Sequence, residues 1–330
     1  MLLAGDIGGT NTRLALFAAR GRRLAPSAER RFASRSYRGL APILTRFLNE
    51  HRGAIDAACF GVAGPVIDGR CRGTNLPWVI DARRIEHFLK LADVSLLNDL
   101  EATAYGIEAL PPRAFATLQV GHPQPRGTIA VIAAGTGLGE GALVWDGARY
   151  RAIPTEGGHT DFAPRTEQEV RLLRHLTKQF GHVSYERILS GPGKLELYRF
   201  FRSASGSREP TWLTRAFRRG DASVVVSEMA LTGRSALCVS ALRLFVSIYG
   251  AEAGNLALKL LARGGVYVGG GIAPHILPKL RDGTFMRAFR DKGRLSRILS
   301  GIPVRVILDD RAALYGAARY ASLALRRHRP

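Results

Sequence analysis

The same short hairpin is written into this chain twice, and that repetition limits the available folds more than any other feature. Near the start, an apolar strand from Leu2 to Gly5 runs into the turn Asp6-Ile7-Gly8-Gly9-Thr10-Asn11 and then a second strand, Arg13 to Phe17. In the second third of the chain, Thr128 to Ala133 leads through Ala134-Gly135-Thr136-Gly137-Leu138-Gly139 to a strand from Gly141 to Trp145. Both copies have the order apolar strand, Gly-Thr turn, apolar strand, which predicts two related lobes facing one another.

Further strands are predicted at Ala57 to Val62, Val94 to Leu97, Val266 to Val268 and Val304 to Leu308. Helical periodicity covers Leu100 to Leu110, Glu167 to Phe180, Tyr185 to Leu189, Lys194 to Phe201, Ser235 to Ala262 and Ala312 to Arg326. Strands alternating with helices argue for α/β layers. Pro111-Pro112 reads as a boundary, and the last strand and helix as a return to the first lobe. The expected organisation is a small α/β lobe of residues 1–110 plus about 304–330, and a large α/β lobe, 111–303, with helical insertions. Ser203 to Pro210 reads as a surface loop, and Gly191-Pro192-Gly193 as the end of the helix before it.

Glycine-rich turns expose backbone N–H groups that can line an anion site, so two facing turns could grip one polyphosphate. Neither turn fits GxxxxGK[ST], and Glu140 spoils GxGxxG, so the nucleotide folds built on those fingerprints lose support. Asp6 leads into the first turn. A carboxylate there would repel phosphates unless a cation stands between, which favours a magnesium ion held through water over a simple turn cap. Asn98 and Asp99 end a strand and precede a helix. Asn98 and Glu101 have capping-box spacing, yet Asp99 also lies where open α/β sheets place ligands. Spacing alone leaves Asp99 open between a helix start and a base that takes the proton of a substrate hydroxyl.

The stretch Thr155-Glu156-Gly157-Gly158-His159 lacks the companions of a metal site or a nucleophilic triad. Recognition of polyol hydroxyls remains, against a surface turn in which His159 caps a strand. Glu186 follows Ser184 in what reads as the first turn of a capped helix, where an acid is favourable without any ligand. Gly269-Gly270-Gly271 could hold a flat base close to the backbone or form a tight strand-to-helix turn.

Composition excludes more than it selects. The chain has 48 basic and 27 acidic residues, a net charge of +21, most of the cations being arginine. Those arginines are scattered, with one dense cluster at Arg326-Arg327-His328-Arg329 and no stripe interleaved with aromatics, so no nucleic-acid partner is expected. No apolar run suggests a membrane span or signal peptide, which places the chain in the cytoplasm. Cys59, Cys71 and Cys238 are far apart, which argues against disulfides and a thiolate zinc site.

Together these residues resemble the bacterial glucokinase family, in the branch of the sugar kinase, Hsp70 and actin superfamily that lacks the zinc motif. The matching pieces are GDIGGTNTRLAL (5 to 16), TNLPW (74 to 78), LLNDLEATAYGI (96 to 107), AAGTGLGEG (133 to 141), EGGHTDFAP (156 to 164), YERILSGPG (185 to 193), GGGIAP (269 to 274) and YGAA (315 to 318). The resemblance implies a duplicated ribonuclease-H-like (actin-like ATPase) fold, two lobes around a cleft, a homodimer, and transfer of the ATP γ-phosphoryl group to the 6-hydroxyl of glucose. It implies Asp99 as general base and Asn98, Glu156, His159, Glu186, Thr74 and Asn75 as sugar ligands. Gly8, Gly9, Thr10, Asn11, Thr136 and Gly137 match the phosphate turns, Asp6 the Mg2+ side, and Gly269, Gly270 and Gly271 the nucleoside side. Thr160 to Pro164 stands where the sister branch carries a cysteine cluster, so no zinc is implied. Thr155 and the arginine load depart from the family pattern without touching these roles. A kinase of another hexose or amino sugar is the alternative. A sugar-sensing regulator is less expected, since the chain opens directly on its first strand with no helix-turn-helix before it.

Overall fold

The computed structural model describes residues 1–20, 23–51, 53–73, 76–206 and 208–327. It divides into two compact units. One comprises Met1–Ala114, Tyr150–Pro154 and Asp309–Pro330, the other Phe115–Arg149 and Thr155–Leu308.

In the first unit the chain runs β1 (Leu2–Ile7), β2 (Asn11–Arg20), β3 (Arg23–Ala33), α1 (Leu40–Glu50) and β4 (Ala57–Val62). A three-stranded flap of β5 (Val66–Ile67), β6 (Arg70–Arg72) and β7 (Val79–Asp81) follows. Then come α2 (Ala82–Leu89), β8 (Val94–Asn98) and α3 (Asp99–Ala109). The main sheet has the order β3-β2-β1-β4-β8, with β1, β4 and β8 parallel and the hairpin strands antiparallel. β3 has no counterpart in the sequence reading, because Pro26 and its charged residues hide the strand. As an edge strand it tolerates the proline, with a register shift between Leu16 and Phe17, where Phe17 faces Pro26. α1 places Leu40, Ile43, Leu44 and Phe47 on one buried stripe at helical spacing.

The second unit contains β9 (Phe115–Gln119), β10 (Ile129–Ala134), β11 (Leu138–Trp145), the last residue of β12 (Tyr150–Thr155), α4 (Glu167–Phe180), α5 (Gly191–Ser205), α6 (Thr211–Arg219), α7 (Ala222–Leu231) and α8 (Ala236–Lys259). After β13 (Gly265–Gly269) come four short helices, α9 (Ile272–His275), α10 (Leu277–Arg281), α11 (Thr284–Arg290) and α12 (Ser296–Gly301), then β14 (Val304–Ile307). The sheet order is β12-β11-β10-β13-β14-β9. The hairpin-plus-parallel-strands plan of the first sheet therefore recurs, as a duplicated ribonuclease-H-like fold requires. α8 is long and apolar enough to cross a membrane, but it is mostly buried as the central core helix. Gly250 and Gly254 let it lie against α11, because a Cβ at either would meet the carbonyl of Phe285 or Phe289.

Several expectations are corrected. Val304–Ile307 stays in the second unit, paired between β13 and β9, because its buried Val304 and Val306 complete that core. The chain from Asp309 on returns to the first unit, where α13 (Ala312–Arg327) packs on α3, β1 and β4, and Tyr150–Pro154, expected in the large lobe, belongs to the first unit as well. Tyr185 to Leu189 forms turns rather than a helix, and Gly191-Pro192-Gly193 opens α5 instead of closing a helix before it. The Ser190 side chain accepts the Gly193 N–H, and Pro192 lies in the first turn, where a missing N–H costs nothing. α5 also runs on to Ser205, so part of the expected surface loop is helical, and Ser207 lies outside the described residues. So do His328 and Arg329 of the basic tail, and Thr74 and Asn75. Cys59, Cys71 and Cys238 are free and buried.

α3 and α13 meet backbone to backbone. A Cβ on Gly316 would run into the Ala102 carbonyl, and one on Gly106 into that of Ala312. Gly316→Ala should therefore cost about 1–3 kcal/mol or more by overpacking. Gly301→Ala, with nothing within 4 Å, should be neutral or stabilising. Urea unfolding of the two variants checks this, and equal midpoints would show that the helices can part without cost.

Candidate active site

In the first unit, Ile7, Val62 and Asn98 form one row across the parallel strands. Asp6, one residue before this row on β1, and Asp99, directly after β8, therefore lie at the same edge of the sheet. Two strand spacings, about 10 Å, separate their backbones. This is the carboxyl end of the strands, where α/β sheets take their ligands. Asn98 caps α3 with a capping box: its Oδ1 accepts the Glu101 N–H at 2.6 Å, and the Glu101 carboxylate accepts the Asn98 N–H at 3.0 Å. That leaves the Asn98 amide NH2 as the group that can donate to a ligand. Asp99 is exposed, with its Oδ1 accepting the Leu100 N–H at 2.9 Å.

The first turn is held from behind by Ser34, a fully buried residue with no signal in the sequence. Its hydroxyl donates to the Gly8 carbonyl at 2.8 Å, and its N–H donates to the Thr10 carbonyl at 2.9 Å. In planar trans peptides, the N–H groups of Gly9 and Asn11 must then point the other way. The turn borders a cavity of about 310 Å³ whose lining includes Asp6, Gly8, Gly9, Thr10, Asn11 and Asp310. Arg13 grips Asp310 with both guanidinium nitrogens, at 3.2 and 2.7 Å. The Asp6 carboxyl is pushed up to about 6, first by removal from solvent and then by the Asp99 carboxylate, with Arg13 opposing.

In the second unit, the Gly135 N–H donates to the Gly137 carbonyl, and the Gly191 N–H at the start of α5 donates to the Gly135 carbonyl, both at 2.8 Å. By the same peptide geometry, the Thr136 N–H faces away from α5. Tyr249, fully buried on α8, ties the strand ends beneath this turn. Its hydroxyl accepts the Ala134 N–H at 3.2 Å and lies 3.2 Å from the Ile132 carbonyl and 3.4 Å from that of Gly269. Gly270 has a positive φ of 80°, and a Cβ there would strike the Ala134 carbonyl, so the triple glycine is a tight turn packed on β10. Gly271 has open space beside it.

Glu156, His159 and Glu186 converge in this unit. The His159 ring nitrogens lie 4.0 Å from Glu156 Oε2 and 3.9 Å from Glu186 Oε1. These separations exceed hydrogen-bond range, so the three side chains do not consume one another's bonding capacity. Glu156 and His159 are 84% and 59% exposed. Glu186 is anchored, its Oε2 accepting the Leu138 N–H at 3.0 Å and its own N–H donating to the Gly158 carbonyl at 2.8 Å. Gly137 has no room for a Cβ because Glu186 Oε2 fills the place, so phosphate-type turn and acid interlock. The glycines of Glu156-Gly157-Gly158-His159 serve packing more than ligand approach. A Cβ on Gly157 would meet Glu140 Oε2, and one on Gly158 the Leu138 carbonyl. Among the described residues, no three His, Cys, Asp or Glu side chains group to hold a metal.

The sequence model of the family described as Glucokinase matches residues 3–324. A glucokinase of Synechocystis sp. is 41% identical over 341 residues, covering 96% of this chain and 96% of that protein. The crystal structure of a glucokinase from an Antarctic psychrotroph is similar with a TM-score of 0.86 at 29% identity, covering 98% of both chains. A ROK family glucokinase from Streptomyces griseus, in complex with glucose and AMPPNP, has a TM-score of 0.63 at 20% identity over 98% of this chain and 99% of that one, a likeness of fold.

The raised pKa of Asp6 sets a sign for pH dependence. The folded state keeps a proton that an unfolded aspartate loses near its ordinary 3.8, so folding is penalised progressively between there and about 6. Asp6→Asn, a neutral isostere, should gain stability over the natural protein across that window and hold the gain at higher pH. Urea unfolding of both proteins at pH 4 to 7 checks this, and a flat difference would mean Asp6 titrates as a surface acid.

Proposed function

Since this chain belongs to the glucokinase family and is an ATP-dependent hexose kinase, we propose that Asp99 is the base that activates the sugar hydroxyl for attack on the γ-phosphorus. The Asp99 carboxylate takes the proton of the 6-hydroxyl of glucose as the new O–P bond forms and the bond to the β-phosphate oxygen breaks, releasing ADP and glucose 6-phosphate. The observation that carries this is the row of strand ends that sets an exposed Asp99 and the half-buried Asp6 on one edge of the first sheet.

The turn amides of Gly9, Asn11 and Thr136 bind phosphate oxygens, and such preorganised donors stabilise the charge of the transferring group. Glu156, His159, Glu186 and the Asn98 amide bind sugar hydroxyls, supported by the uncommitted bonding capacity of the first three and the donor left free by the Asn98 cap. Gly271, with open space beside it, is on the nucleoside side.

Asp6 fits a magnesium ion held through water: burial and the Asp99 charge both disfavour its ionised form, and a nearby dication would reverse that. Magnesium supplies neutralisation of phosphate charge when bound. A homodimer residing in the cytoplasm belongs to the same reading.

Coupled ADP release with glucose, mannose, fructose and glucosamine, each with and without magnesium, tests the activity and its selectivity. Turnover should be fastest with glucose and should require the ion. Preference for another sugar would move the assignment to that hexose. Asp99→Asn should lower kcat by about 10²–10⁴-fold with glucose affinity largely kept, because an amide holds a hydroxyl but cannot take its proton. Near-normal turnover in that variant would remove Asp99 from the role of base.

A further inference from the structure

We propose that Glu140 is a proton-linked positioning residue for the loop that carries Glu156 and His159: when neutral it seats the loop, and when ionised it unseats it. Sugar affinity then falls on the alkaline side while the rate at saturation is kept. This rests on the sugar-binding role of that loop.

The duplicated hairpin provides an internal comparison. Two pairs in from the first turn, Gly5 of β1 faces Leu14 of β2, a fully buried apolar side chain. Two pairs in from the second turn, Ile132 of β10 faces Glu140 of β11, which is 1% exposed. The fold accepts leucine at this register place, so the carboxylate of Glu140 is not a requirement of the hairpin. Burying one without partners is costly.

Its two oxygens have different surroundings. Oε1 has no hydrogen-bond partner, and Oε2 lies where a Cβ on Gly157 would be. The loop is also tied to the same residue through its backbone. Thr155 Oγ1 donates to the Glu140 carbonyl at 2.9 Å and accepts the Gly157 N–H at 3.1 Å. Gly158, next along, lies close against the Leu138 carbonyl, so the loop has little slack on that side.

The charged and titratable groups around Glu140 come from α8. Glu252, itself fully buried, repels its anion and Lys259 attracts it, while the buried Tyr249 phenol adds no charge at neutral pH. Lys259 is already engaged with Glu252 at 3.4 Å, and Glu252 also accepts from Asn255 at 2.7 Å. Lys292 and Arg165 act on the Glu252 side of this cluster. Burial first and Glu252 second push the Glu140 carboxyl up to about 7.

A neutral acid can occupy this place, whereas an anion demands several donors that the site does not supply. Ionisation therefore draws in water or expels the side chain, and Gly157 must move with it. The folded-state proton is held below about 7 and lost above it, so the seated loop belongs to the acidic side of that value.

The test is the pH dependence of glucose KM and kcat for the full chain, measured by ADP release at saturating ATP and magnesium from pH 6 to 9. The natural protein should show KM rising about tenfold at one unit above the transition, as the competent fraction falls, with kcat unaffected by the same step. Glu140→Gln should keep the low KM across the range. A flat KM in the natural protein, or the same rise retained in the Gln variant, overturns the proposal. Should Gln prevent folding, Glu140→Leu, the residue of the first hairpin, replaces it with the same expectation. Glu156→Gln at pH 6 separates the two readings: unchanged glucose affinity there removes the sugar role of the loop itself, whatever Glu140 does.

Discussion

Backbone laid directly on backbone is the constraint that sets the strand-end edge of the first unit. Gly316 of α13 sits on the Ala102 carbonyl and Gly106 of α3 on that of Ala312, so no side chain cushions the two helices and α3 has one place to lie. Its N-terminus then brings Asp99 to the strand row that also ends β1 and Asp6. The same C-terminal segment delivers Asp310, which holds Arg13 opposite Asp6 across the hairpin. Residues from both ends of the chain thus complete a single edge of one sheet, and loosening a helix pair would move a carboxylate rather than merely open a void. In the second unit the glycines of α8 against α11, Gly270 against Ala134 and the Tyr249 hydroxyl between strand ends do the corresponding work.

The two hairpins use one backbone device with different charge. One pair in from its turn, the first has Asp6 facing Arg13, whereas the second has Ala133 facing Gly139. In both turns a carbonyl is taken by a more distant segment, that of Gly8 by Ser34 in one and that of Gly135 by Gly191 in the other. Amides without a carboxylate suit phosphate oxygens, and amides beside a carboxylate suit a phosphate that arrives with a cation. The large positive charge of the chain adds long-range attraction for a polyanionic nucleotide but no local specificity.

The features legible in the sequence were those enforced locally. Asn98 and Glu101 announce their capping box by spacing alone, and the two Gly-Thr hairpins announce the duplicated sheets. Strand β3 was hidden because an edge strand needs neither alternation nor freedom from proline. Tyr185 to Leu189 has an apolar pattern resembling a helix, but Tyr185 and Glu186 are drawn into hydrogen bonds with Thr160 and Gly158, and Ser190 restarts the chain as the cap of α5. Ser34 and the interlock of Gly137 with Glu186 are contacts between segments distant in sequence, and no periodicity encodes them. Glu140 was visible only as the residue that spoils a fingerprint, since its meaning depends on what lies beneath Gly157.

The polar groups around Glu156 in the second unit fall into two layers with opposite physics. Glu156, His159 and Glu186 are close enough to share a ligand yet too far apart to satisfy one another, so in the proposed function a sugar hydroxyl would gain partners without displacing bonds among the three. A sugar lacking that hydroxyl leaves them unmatched, which is how such a layer discriminates. Below them, Glu140 and Glu252 are sealed from water, where one charge is tolerated far better than two. In the proposed reading the upper layer meets the sugar, and the lower one makes the geometry of that layer conditional on a proton. The two are joined through Thr155 and Gly157, a link short enough for a change in one carboxyl group to be felt at the next residue, Glu156.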